Sequence, residues 1–294
     1  VANLHLARDK AGRWSVVAKT GTLLRPDAGR ADGAFLDSLR EAHQRTVAYV
    51  SSEIGRSAST LEAWSARVED TPILEFVNEV QRRVTGADLS AAAAFSLRAV
   101  LPEGPVTIAD VAGLYVYDNT LKAVRITGEQ LRAFLEKSAE YYHGWPPPPG
   151  GTVTNLDRPG YNFDAVSGVD YTLDLARPVG RRVVELRYRG EPVRPDQTFT
   201  MALNNYRQAG GGGFSMLADA PVVYDHQEDI RELLIEEIRR RGTIRSEDYF
   251  HRNWRIIPEE AAVAARAEQA ARERAGRRLS AAPPAPPAMY MTTN

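Results

Sequence analysis

The chain has 294 residues, of which 43% are apolar and 26% charged, with a formal net charge of −1. That length suits one large or two small domains, and the charge balance argues against a Lys- and Arg-dominated surface for nucleic-acid polymers while leaving room for a local cationic pocket. Without cysteine there is no disulfide framework, thiolate metal site or cysteine nucleophile, and no apolar run approaches the roughly 20 residues of a membrane-spanning helix.

Residues 1–25 alternate apolar and polar positions on either side of Lys10-Ala11-Gly12 and read as strand, turn, strand. Val1 opens inside a strand with neither Met nor a basic-then-apolar leader, as a fragment or processed product would, and not as a signal peptide. Pro26, Asp27, Gly29 and Asp32 mark a break at 26–32. Residues 33–52 place Phe35, Leu36, Leu39, Ala42, Val47 and Val50 at helical spacing, predicting a helix of about five turns. Gln44 and Arg45 interrupt its apolar face, as in a helix that bridges two bodies. Asp70-Thr71-Pro72 starts another helix with Pro just inside it; Ile73, Phe76, Val77, Val80 and Val84 form its face and Gly86 stops it. Residues 89–100 are small and apolar and read as a buried strand or close-packed turn. A short helix at 109–113 leads into the aromatic run Leu114-Tyr115-Val116-Tyr117-Asp118-Asn119.

A strand at 121–126 is followed by Thr127-Gly128-Glu129-Gln130, a capping-box match that opens a helix with Leu131, Phe134, Leu135 and Ser138 on one face. Trp145 to Gly151, with four prolines, can be neither helix nor central strand and reads as an exposed loop. Residues 161–205 are β-rich, with strands at 171–175, 183–188 and 198–203 and a turn at Arg189-Gly190-Glu191. Asp225 with Glu228 reads as the next helix start; Ile230, Leu233, Leu234 and Ile238 form its core face. Gly242 ends it after Arg239, Arg240 and Arg241, which suit the negative helix terminus. Residues 258–278, rich in Ala, Glu and Arg, predict a marginal surface helix, and the Pro-rich stretch from Ala281 to Pro287 is linker-like.

The five histidines are dispersed, with no metal-ligand spacing among them, and no Gly-x-Ser-x-Gly nucleophile elbow occurs. The stretch Asn204-Asn205-Tyr206-Arg207-Gln208-Ala209-Gly210-Gly211-Gly212-Gly213-Phe214 is the most specific feature. Four glycines in a row carry a large entropic cost on folding. A phosphate loop would need Lys-Ser or Lys-Thr after them, where Phe214-Ser215-Met216 stands. A close-approach turn beside a ligand and a tight exposed loop both remain open. Tyr115 and Tyr117 share a face if their run is extended, and Tyr206 sits at a strand end. A pair of such rings can sandwich a nucleobase, each stack worth about 1–3 kcal/mol, while Asn119 and Asn205 offer donors and acceptors to base edges or ribose. Arg207 is either a phosphate contact or a solvated loop cation.

At these residues the chain resembles the C-terminal domain of the 5′-nucleotidase family. The resemblance rests on Leu114 to Leu121, Thr127 to Leu131, Leu135-Glu136, Tyr161-Asn162-Phe163-Asp164, Ser167 to Tyr171, Gly190 to Val193 and Asn204 to Arg207 with the glycine run, in order over roughly residues 1–256. The Tyr-Asn-Phe-Asp and Asn-Asn-Tyr-Arg elements resemble the 2′,3′-cyclic-nucleotide 2′-phosphodiesterase/3′-nucleotidase branch. The 5′-nucleotidase branch more typically carries Pro-Phe-Gly-Asn and Gly-Gly-Gly-Ile-Arg elements, where this chain reads Val116-Tyr117-Asp118-Asn119 and Ala94-Phe95-Ser96-Leu97-Arg98.

The resemblance implies an α+β fold with mixed sheet layers flanked by helices. It implies a remnant hairpin of a metallophosphatase domain at 1–25, a linker helix at 33–52, a nucleotide-binding domain at 53–256, and a surface helix with a Pro-rich tail at 257–294. Tyr117 and Tyr206 are then the rings that clamp the base, with Asn119, Asn205, Arg207, Gly210 and Gly211 beside them. The implied protein is a nucleotide phosphohydrolase of nucleotide catabolism, periplasmic or at the cell surface. Its two divalent metal ions belong to an N-terminal metallophosphatase domain whose Asp-x-His-Gly, Gly-Asn-His-Glu and Gly-His-x-His elements are absent here. This chain by itself is then expected to hold no metal and to be inactive. The alternative is a non-catalytic nucleotide-binding or cell-surface module with the same fold.

Overall fold

The alternating residues on either side of Gly12 pair as an antiparallel hairpin, Ala2–Arg8 against Trp14–Gly21, with a bulge between His5 and Leu6. This computed structural model describes residues 2–23 and 32–281. The predicted break therefore lies outside the described residues except for Asp32, and the Pro-rich tail lies outside them from 282 on. The chain divides into two units, residues 1–49 and 50–294. In the first, the Asp32 carboxylate accepts hydrogen bonds from the Ala34 and Phe35 amides at 3.0 and 3.1 Å and starts the helix Gly33–Val50. That helix buries none of its residues.

The second unit is built on a five-stranded mixed sheet. Its order is Val222–Asp229, Thr120–Thr127, Thr198–Asn204, Leu89–Ala93 and Asp164–Ser167. Only Leu89–Ala93 and Thr198–Asn204 run parallel within it. The small residues of Leu89–Ala93 are buried throughout, and the helix Pro72–Thr85 packs against them. Gln81 Nε2 there donates to Ser90 Oγ at 2.8 Å. A four-stranded sheet (Glu191–Pro192, Val183–Tyr188, Asp170–Asp174, Trp254–Ile257) and a three-stranded one (Thr243–Ile244, Glu53–Ser57, Gly104–Thr107) complete the frame, with a short pair Leu61–Glu62 and Val100–Leu101. The result is the α+β arrangement of mixed sheets and flanking helices that the resemblance implied.

Local signals hold well. Thr127 Oγ1 accepts from the Gln130 amide at 3.2 Å while Gln130 Oε1 accepts from the Thr127 amide at 2.8 Å. The helix Gly128–Ala139 buries Leu131, Phe134, Leu135 and Ser138 as expected. Gly86 ends Pro72–Thr85 at φ 66°, its amide donating to Arg82 O.

Two expectations are corrected. Asp225 and Glu228 belong to the strand Val222–Asp229, and the helix Ile230–Arg241 starts one residue later. Its cap is Asp229, whose carboxylate accepts from the Arg231 and Glu232 amides at 2.8 and 3.3 Å. Arg239, Arg240 and Arg241 stand in the last turn of this helix before Gly242 as expected, and Arg240 and Arg241 also bond to the buried Glu237 at 2.6–2.7 Å. The C-terminal helix Glu259–Ala281 is not a marginal surface helix. Ala261, Ala265 and Gln269 form a buried stripe at four-residue spacing, and Glu268 accepts from the amides of Val153 and Thr154 at 2.7 and 3.1 Å. Alanine is small enough for close helix approach but contributes little to an apolar periodicity, so the contact face was hidden.

One buried acid makes stability depend on pH. Glu75, inside the helix Pro72–Thr85, accepts a hydrogen bond from Ser167 Oγ, and burial pushes its carboxyl up from 4.5 to about 8. Burial likewise raises nearby Asp70 to about 6. An acid whose pKa is higher in the folded than in the unfolded state stabilises fully below the unfolded value and loses that stabilisation as pH rises through the folded one. Urea midpoints are therefore expected to fall between pH 4.5 and about 8, and Glu75→Gln to flatten the fall. A variant whose midpoints track the wild type across this window would remove Glu75 as the source.

Candidate functional site

Leu89–Ala93 and Thr198–Asn204 are parallel neighbours, so both chains leave the sheet at the same edge. Loops at the carboxyl ends of adjacent parallel strands are a favoured place for ligands. There Phe95, Tyr117, Asn119, Tyr161, Asn204, Tyr206 and Arg207 line a cavity of about 280 Å³. Openings of about 360 Å³ beside Arg187 and Arg252 and about 530 Å³ along Glu129 to Glu140 present no exposed ring. The cavity of about 280 Å³ brings together three exposed tyrosines, Tyr117, Tyr161 and Tyr206.

The aromatic run does not extend as a strand. The helix Ile108–Leu114 ends at Tyr115, which is 2% exposed, whereas Tyr117 is 48% exposed. The two rings do not share a face; each meets Phe95 edge-on, with centroids 5.0 and 4.9 Å away and interplanar angles of 85° and 86°. Phe95 thus ties a buried anchor, Tyr115, to an open wall, Tyr117. Burial holds the Tyr115 hydroxyl well above its ordinary range, beside the Asn119 and Asn204 amides.

Tyr206, also 48% exposed, stands on the short helix Asn205–Gln208. Asn204 Oδ1 caps that turn by accepting from the Arg207 amide at 2.8 Å. Asn205 lies behind the wall, its Oδ1 accepting from the Thr120 amide at 3.2 Å. Gly210 and Gly211 likewise do not line the cavity. A Cβ at Gly211 would stand 2.6 Å from the Tyr206 ring, so a glycine is needed for the ring to seat on the backbone. Gly212, at φ 74°, has Arg207 and Asn162 where a side chain would go.

Arg207 is not the solvated loop cation that stood as one of its two readings. It is 1% exposed, as is Asp164, and the two form an ion pair at 2.7 Å. A guanidinium has five N–H groups, and all are used. Nε and Nη2 donate to the Asp164 carboxylate at 3.3 and 2.7 Å, Nη2 also to Tyr161 O at 2.8 Å, and Nη1 to Gly211 O at 2.6 Å and Asn162 Oδ1 at 3.3 Å. Its Cζ also lies 4.0 Å from the Phe214 ring centroid. In this arrangement no N–H remains for a phosphate.

The cavity therefore joins Tyr117, Asn119, Tyr206 and Arg207, as the sequence suggested, with Phe95, Tyr161 and Asn204, which it did not single out. Asn204 carried a readable signal, an Asn directly before a short turn. Tyr161 stood in a quoted element, and Phe95 follows a run of alanines that gave no hint of a wall. The surface so formed is flat, aromatic and edged with amides, with its single cation neutralised. Among the described residues no group of three or more His, Asp or Glu side chains could hold a metal ion. Among the described residues no helix is long and apolar enough to cross a membrane.

The 5′-nucleotidase C-terminal domain model matches residues 47–219, more than half of the chain. Over 291 residues the chain is 28% identical to the trifunctional nucleotide phosphoesterase protein YfkN of Bacillus subtilis, covering 87% of this chain and 20% of that protein. It is 30% identical to the 2′,3′-cyclic-nucleotide 2′-phosphodiesterase/3′-nucleotidase of Haemophilus influenzae, covering 88% of this chain and 46% of that one. A crystal structure from Staphylococcus aureus of a protein assigned as a 5′-nucleotidase superposes with a TM-score of 0.71 at 28% identity, covering 85% of this chain and 49% of that one. This chain spans about half or less of the length of these relatives.

Proposed function

Since this chain belongs to the family of 5′-nucleotidase C-terminal domains, we propose that it is the substrate-recognition domain of a nucleotide phosphohydrolase and holds the nucleobase between Tyr117 and Tyr206. The observation that carries this reading is the pair of half-exposed rings lining one cavity, with Asn119 and Asn204 at its edge. Base stacking is worth about 1–3 kcal/mol per base and tolerates any base; the amides can then read base edges or ribose hydroxyls. Because Arg207 has no free N–H, the phosphate is left facing away from this wall, toward catalytic groups on another domain. The name of the Haemophilus influenzae relative supports 2′,3′-cyclic or 3′-phosphate esters as substrates. We place the two-metal chemistry in an N-terminal metallophosphatase domain and the whole protein in nucleotide catabolism in the periplasm or at the cell surface.

Calorimetric titration of adenosine into the chain tests the reading: saturable binding is expected, without hydrolysis of added nucleotide in the presence of divalent metal. Absence of any nucleoside binding would overturn the recognition role, and metal-dependent turnover would overturn the assignment of chemistry to another domain.

A further inference from the structure

We infer that Arg207 is a positioning residue that fixes the Tyr206 wall before any ligand arrives, so that the glycine run works as a close-packed seat and not as a hinge. The inference deepens the base-clamp reading, but its geometric part stands without it. The guanidinium joins two stretches of chain, 161–164 and 207–211. It reaches Asp164 and the carbonyl of Tyr161 on one side, the side chain of Asn162 beside them, and the carbonyl of Gly211 on the other. Tyr161 and Tyr206 both line the cavity, so one buried cation sets the distance between two of its walls.

The packing around this link leaves little room for a moving loop. The Tyr206 ring rests against Gly211, and the space beside Gly212 is filled by Arg207 and Asn162. Phe214 is fully buried, 4.6 Å from Phe134 in centroid distance, and takes the guanidinium on its other contact. A planar fork that spends every donor on fixed acceptors gives a specific geometry that a lysine, a point charge on a flexible stem, does not reproduce. A wall set in advance lowers the ordering cost of binding.

The experiment compares Arg207→Lys with the wild type in the full chain by two readouts. The first is affinity for adenosine and for adenosine 3′-phosphate. A loosened wall is expected to weaken both by about tenfold or more, with their ratio unchanged. A loss confined to the phosphate ester would make Arg207 a phosphate contact and overturn the inference. The second is amide hydrogen exchange at 205–213 and 160–164, which is expected to accelerate in the variant without ligand. Unchanged exchange there would also overturn it. If the wild type binds neither ligand while the exchange still accelerates in the variant, the positioning role stands and the base-clamp reading falls. Should Arg207→Lys fail to fold, Asn162→Ala, which removes a single acceptor from the half-buried edge of the network, is expected to give the same exchange pattern at smaller amplitude; wild-type exchange in that variant would overturn the inference.

Discussion

Replacing Asp164 by alanine is expected to cost about 3–5 kcal/mol of folding stability, the range for breaking a buried ion pair from one side. The carboxylate takes two of the five Arg207 hydrogen bonds, and both side chains are almost wholly excluded from water. Burial raises the Asp164 carboxyl above its ordinary range, and the Arg207 charge opposes part of that rise. With Asp164 removed, a guanidinium is left buried without a counter-charge. Urea denaturation measures the effect; a loss below about 1 kcal/mol, the ceiling for most exposed pairs, would mean that water reaches Arg207.

The second large effect is on binding. Tyr117→Ala and Tyr206→Ala are each expected to weaken adenosine binding by about 1–3 kcal/mol, read by calorimetry. Both rings are half exposed, so the unfolding midpoint should change far less than the affinity. If the two rings face one base, the double variant should depart from the sum of the single losses, as groups sharing a partner do. Unchanged affinity in both single variants would remove the clamp. A loss in Tyr206→Ala alone would put the base on the Arg207 side of the cavity, away from the Phe95–Tyr117 shelf.

What could be read in the sequence follows the range of the physics involved. Thr127 with Gln130 closes a capping box within one turn, and Ile73, Phe76, Val77 and Val80 share a helical face that is buried as expected. Such signals lie within a few residues of their own cause. Asp225 misled because an acidic pair before an apolar run also fits a strand whose partner, Thr120–Thr127, is remote in sequence. The alanine stripe of the C-terminal helix misled because its burial comes from close approach and not from apolar bulk.

For the site, the chemistry of the residues was legible and their partners were not. Two tyrosines, flanking amides and a glycine run next to Tyr206 are properties of short stretches, and the ordered elements around them carried the family. The amino-acid sequence by itself thus determined the fold class, the local caps and the aromatic equipment. Only the tertiary structure decided that Asn204 and not Asn205 faces the cavity, that Phe95 braces Tyr117, and that Arg207 is spent on Asp164, 43 positions away. The reason is that periodicity and capping act through the local backbone. A buried charge finds its counter-charge only when separate strands and loops are brought to the same edge of a sheet.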